Sequence, residues 1–168
     1  MQPLPPTLKV KLQPSVFDKK KGTGDFVKEV HAALRRQQGP KGSRTLWVFN
    51  DNEQDRRSPR EGGGNAKIRP YNRFGAHADE PLAAGVTTGS NGCGYTALTP
   101  AAKAIIDEDL ALISQLLHTG DYSAVRYSAV SRHADAKKAG LGTGIFAVHD
   151  SVKKYIVEGL CRCVQNAQ

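Results

Sequence analysis

Three short stretches of the chain carry residue types suited to holding a phosphate-bearing ligand. The first is Gly62-Gly63-Gly64-Asn65, preceded by Arg56, Arg57 and Arg60 and followed by Arg69. Glycines reach positive φ and carry no side chain, so backbone N–H groups can converge on an anion. Arginines beside them can add charge-assisted hydrogen bonds to phosphate. The second is Gly140-Leu141-Gly142-Thr143-Gly144, then Ile145 and Phe146, with a helix expected to start at Asp150. A glycine loop ahead of a helix start favours negative charge, through unpaired N–H groups and the helix dipole. No lysine–serine pair closes this loop as in a P-loop, and no strand leads into a correctly spaced G-x-G-x-x-G. The third is Asn50-Asp51-Asn52 at the end of an expected strand, where short amides and carboxylates suit ribose hydroxyls and purine edges. Each stretch also has a plain structural reading: a solvated loop with surface arginines, a tight turn before a helix, and an Asx turn.

Other chemistries find less in the sequence. His77, His133 and His149 show no metal spacing, and Cys161 and Cys163, two apart on an expected helix, diverge. No metal or cofactor is expected. There is no G-x-S-x-G elbow for a nucleophilic serine. Asp107, Glu108 and Asp109 sit on an amphipathic helix and read as a solvated face. The odd set Cys93, Cys161 and Cys163 reads as free thiols rather than a disulfide framework, which suggests a cytoplasmic protein.

The elements that must position these stretches follow from periodicity. Residues 45–49 (TLWVF) read as a buried strand. Helical spacing runs from 25 to about 38, ending at Gly39-Pro40. Thr99-Pro100 is an N-cap followed by proline in the first turn, and a strong amphipathic helix continues to about 118. Residues 124–130 read as a second strand, 145–148 as a short third, and Asp150 as the cap of a last helix. Between 50 and 94 only 66–71 reads as a strand, and the rest is expected to be an ordered, functional loop. The result is an α/β domain: a mixed sheet with flanking helices, spanning 24–168, behind a Pro/Lys-rich extension over 1–23 in which Leu8, Val10 and Leu12 could form a short edge strand.

The 168 residues suit one domain, and 17 glycines and 9 prolines imply many loops. The formal net charge is +8. Residues 1–40 hold eight basic and three acidic side chains, so much of the excess lies in the basic N-terminal extension. Such a segment can attract nucleic acid, though no aromatic residues alternate with the charges as on a base-stacking surface. No run approaches the roughly 18–20 apolar residues of a membrane span, and the first residues do not resemble a secretory signal.

Taken together, WVFNDN followed by GGGNAKI, then AAGVTTG at 83–89, then GTGIF at 142–146 before a helix with Tyr155 and Ile156, resemble the macrodomains, an ADP-ribose-binding α/β family. The order along the chain matches over about 43–165. The sequence differs from the family in having Asn50-Asp51-Asn52 for Asn-Ala-Ala-Asn, about a dozen residues between the strand AVRYSAV and GTGIF, and Ala147 after Phe146. GGGNA–IRPYN with GTGIF also resembles small phage and bacterial domains.

The resemblance implies an ADP-ribose-type ligand, with Gly62, Gly63, Gly64, Asn65 and Gly142, Thr143, Gly144, Ile145 clamping the diphosphate. Asn50 or Asn52 would face the distal ribose and Phe146 would flank it. Arg60 and Arg69 join this set from the residue reading, and Asp51 is the candidate base. Three functions stay open: hydrolysis of an ADP-ribosyl bond, sequestration of a signalling nucleotide as in phage anti-defence, or nucleic-acid binding through the N-terminal segment.

Overall fold

The computed structural model describes residues 9–18, 23–35, 41–144 and 146–168. Along the chain run β1 (Lys11–Asp18), β2 (Thr23–Gly24), α1 (Asp25–Arg35), β3 (Arg44–Asp51), a 3-10 helix (Gly64–Tyr71), β4 (Ala83–Thr87), β5 (Gly89–Ser90), β6 (Cys93–Gly94), α2 (Pro100–His118), β7 (Tyr122–Ala129), α3 (Ala136–Ala139) and α4 (Asp150–Asn166). The main sheet has the order β2-β1-β7-β3-β4. β1, β7, β3 and β4 are parallel, and only the two-residue β2 runs antiparallel, against β1. β5 and β6 form a separate antiparallel hairpin.

Strand β3 shows why the fold has two buried faces. Successive side chains on a strand point to opposite sides. Leu46 and Val48 enter the larger core, built with Ile106, Ile113, Leu117, Ile156 and Leu160 of α2 and α4. Trp47 and Phe49 enter a second core with Val27 and Val30 of α1 and Ala66 and Ile68 of the 3-10 helix. A strand buried on both sides needs an unbroken apolar run, which Leu46-Trp47-Val48-Phe49 supplies. The same alternation sends Asn50 and Asp51 to opposite sides where the strand ends.

Helix α2 starts as its sequence predicts: the Thr99 hydroxyl accepts from the Ala102 N–H at 3.1 Å, and Pro100 follows. Its acidic triplet is not uniformly solvated. Asp109 is 5% exposed. Its Oδ2 accepts from the Thr87 N–H at 2.8 Å and the Thr87 hydroxyl at 2.6 Å, and its Oδ1 from the Arg56 Nη2 at 2.9 Å. The helix thereby ties down the end of β4. Asp109→Asn keeps the shape but weakens bonds made to a charge, so it should lower stability by about 2 kcal/mol in denaturant unfolding.

Several expectations are corrected. Residues 66–71 form a 3-10 helix rather than a strand. The chain closes with Ala66 N–H to Gly63 O and Asn72 N–H to Arg69 O, each at 3.0 Å. Pro70 lies inside the helix, and Gly64 takes φ +56°. No strand forms over the described residues of 145–148. The Phe146 N–H turns back to Thr143 O, and the added sheet contact is a single Ala129–Leu141 bridge. The cap of α4 is His149, whose Nδ1 accepts from the Ser151 N–H, not Asp150.

Within the segment read as an extension, residues 11–18 form β1, which lies between β2 and β7 rather than at an edge. Pro14 fits there because β2 covers the far side of β1 only at Phe17 and Asp18. Residues 1–8, 19–22 and 36–40, which include most of the basic extension and the end expected for the first helix, lie outside the described residues. No helix among the described residues is long and apolar enough to cross a membrane.

Candidate functional site

The cleft lies where three parallel strands reach their carboxyl ends, the usual ligand position in an open α/β sheet. β3 brings Asn50 and Asp51, β4 leads into Thr88, and β7 brings Ser128. The space is about 440 Å³, within the range of small-molecule sites. All three stretches read from the sequence border it, although the one at 140–144 lies more than seventy positions beyond the other two. Asn50, Asp51 and Asn52 line it, as do Gly62, Gly63, Gly64, Asn65 and Arg69, and then Gly142, Thr143, Gly144 and Phe146. Ile145 lies outside the described residues.

The second glycine loop is pinned to the sheet at Gly142. Its N–H donates to Ser128 O at 3.0 Å. Its carbonyl accepts from Asn50 Nδ2 at 2.7 Å and from the Ser128 hydroxyl at 3.0 Å. A Cβ at this position would stand 2.8 Å from the Ala129 carbonyl oxygen, so only glycine lets the loop approach so closely. The Thr143 hydroxyl donates to Phe146 O at 2.9 Å, and Gly144 turns the chain with φ +65°. Phe146 is left 47% exposed.

The first glycine loop rests on Arg69. A Cβ on Gly62 would come within 2.7 Å of Arg69 Nη1. Arg69 is 2% exposed. Its Nε and Nη2 donate to Asp51 Oδ1 at 3.1 and 2.7 Å, and its Nη1 donates to Arg60 O at 3.0 Å. The guanidinium also lies 5.8 Å from the centre of the Phe49 ring. Arg69 therefore supports the loop from beneath and is not a free phosphate clamp. At the start of the 3-10 helix, the N–H groups of Gly64 and Asn65 are donors with no acceptor inside the helical ladder.

The remaining expected residues divide. Asp51 holds Arg69 and also accepts the Asn52 N–H at 2.9 Å. Burial pushes its carboxyl above the ordinary value, against the pull of the guanidinium. With three donors Oδ1 acts as an anchor, which leaves only the Oδ2 of Asp51 for the base role expected of it. Asn52 makes the Asx turn: its Oδ1 accepts the Asp55 N–H and its Nδ2 donates to Asp55 Oδ2, both at 3.0 Å. Arg60 stands outside the cleft, its side chain 74% exposed and paired with Asp55. Asn50 and Asn65, both in the lining, each carry an Oδ1 that is buried without a hydrogen bond among the described residues.

The sequence reading left out one wall, the β5–β6 hairpin, which contributes Gly89, Gly92, Cys93 and Gly94. Its signal was present. Asn91-Gly92 takes positive φ at both positions, 51° and 79°, as a two-residue hairpin turn requires. The hairpin is held by Glu53 N–H to Gly89 O at 3.0 Å, Asn91 N–H to Gln54 Oε1 at 2.8 Å, and Tyr95 hydroxyl to Glu53 Oε1 at 2.8 Å. Burial and the Glu53 carboxylate both push the Tyr95 hydroxyl upward, so it remains a donor at neutral pH.

The three histidines without metal spacing have structural contacts: His77 packs edge-on against Tyr71, His133 accepts from the Asp135 N–H, and His149 caps α4. Among the described residues, no group of three or more His, Cys, Asp or Glu could hold a metal ion. The described cysteines Cys93, Cys161 and Cys163 are free. Compared with protein-family models, curated proteins and solved structures, the chain finds no match in any of the three.

Proposed function

We propose that the cleft captures a diphosphate-bearing nucleotide of the ADP-ribose type, in the manner of the macrodomains that the chain resembles at residues 47–52, 62–68 and 142–146. The observation that carries this reading is the meeting of these three stretches around one cleft at the strand ends, with two unpartnered asparagine acceptors in its wall. Backbone N–H groups of the two glycine loops would serve the diphosphate. Asn50 Oδ1 and Asn65 Oδ1 would accept from ribose hydroxyls, and Phe146 would cover a ring face.

Sequestration is the simpler form of this activity, since it needs the binding groups alone. Hydrolysis would also need a base, and Asp51 commits its Oδ1 to Arg69 and the Asn52 N–H, which leaves only its Oδ2 for that role. A general base needs reach to the proton it abstracts. Calorimetric titration with ADP-ribose, cyclic ADP-ribose isomers and cyclic dinucleotides, followed by recovery of the ligand after denaturation, tests both parts. An ADP-ribose species should bind and return intact. Cleaved ligand would replace sequestration with hydrolysis, and no binding across the panel would discard the nucleotide reading in favour of nucleic-acid binding.

A further inference from the structure

The chain carries a formal charge of +8, yet its cleft is not basic. The charged residues lining it are Asp51, Asp55 and Arg69. Asp51 and Arg69 cancel one another in a buried pair, with side chains 4% and 2% exposed. Asp55 remains. Its Oδ2 accepts from the neutral Asn52 amide and lies 4.0 Å from Arg69, whose charge is already spent on Asp51. Its Oδ1 pairs with Arg60, which is outside the cleft and 74% exposed, where water and salt weaken the pairing, so the negative charge of Asp55 is only partly offset.

Two neutral acceptors add to this carboxylate. The Gly142 carbonyl requires a donor opposite it, which fixes the Asn50 amide with Nδ2 toward the loop and Oδ1 free. Asn65 Oδ1 is a second buried acceptor without a partner among the described residues. A wall of acceptors and one carboxylate is complementary to hydroxyl donors and positive charge. A terminal phosphate, with about 1.5–2 negative charges, would meet no uncompensated cation among the lining residues and would lose its hydration without full replacement.

We infer that the cleft selects a zwitterionic nucleotide: one whose phosphates are all internal diesters and whose acceptor-facing end carries a cationic ring with ribose hydroxyls. This rests on the nucleotide-capture reading and adds the ligand's charge pattern to it. Nicotinamide adenine dinucleotide in its oxidised and reduced forms provides the comparison, because the two share size, hydroxyls and diphosphate and differ by one positive charge on the ring.

Calorimetric titration of the full chain at low salt should give the oxidised form at least about tenfold tighter binding than the reduced form. Asp55→Asn should bring the two within about twofold, because the charge on the ring then meets no carboxylate in the cleft. If that variant unfolds, Asn65→Asp adds a carboxylate to the same cleft and should widen the ratio. ADP-ribose binding with equal affinities for the two dinucleotide forms, or with neither bound, would overturn the charge inference and leave nucleotide capture standing. Failure of ADP-ribose and both dinucleotides to bind would overturn the two together.

Discussion

Replacing Arg69 with methionine is expected to cost about 3–5 kcal/mol of folding stability, the usual loss when one partner of a buried ion pair is removed. The substitution strands the Asp51 carboxylate, 4% exposed, and leaves the Arg60 carbonyl without its donor. It also removes the group on which Gly62 rests. Arg69→Met combined with Asp51→Leu should recover most of the loss, because no buried charge then remains unpaired. Denaturant unfolding of the two single variants and the double variant measures this directly. A single-variant loss below about 1 kcal/mol would mean that the pair is solvated, and that the first glycine loop is held by something else.

Asn50→Asp should abolish ligand binding, with a loss of at least about a hundredfold, while the protein still folds. The change is isosteric but replaces the donor that faces Gly142 O with a carboxylate oxygen. Two acceptors then oppose one another, and the 142–144 loop loses one of the bonds that hold it to the sheet. The new negative charge also stands beside the proposed diphosphate. Leaving a buried polar group without its partner costs about 1–3 kcal/mol, and repulsion adds to it. Titration with ADP-ribose beside a thermal melt separates the two effects. Retained affinity would remove Asn50 from the site.

How much of this was legible in the sequence depended on the range of the interaction. TLWVF fixed a two-sided strand because its own residues alternate between Leu46 and Val48 on one side and Trp47 and Phe49 on the other. The Thr99 cap and the spacing of Ile106, Ile113 and Leu117 are likewise local to α2. The depth of Arg69 was not legible, since it follows from pairing with Asp51, eighteen positions earlier. Asp109 looked solvated for the same reason: its partners Thr87 and Arg56 come from other elements. The 3-10 helix was masked by Ile68 and Pro70, which imitate strand alternation. The three glycine- and asparagine-rich stretches were visible from composition alone, but the Asn50–Gly142 bond across 92 positions that joins two of them was not.

The central claim is that these stretches form one nucleotide cleft, and an amide NMR titration with ADP-ribose tests it most directly. Shifts are predicted at the backbone of Gly63, Gly64, Asn65, Thr143 and Gly144 and at the Asn50 side-chain amide, with little change along α2. Saturable shifts confined to the outer face of α2 or to the N-terminal segment, or none at millimolar ligand, would contradict it.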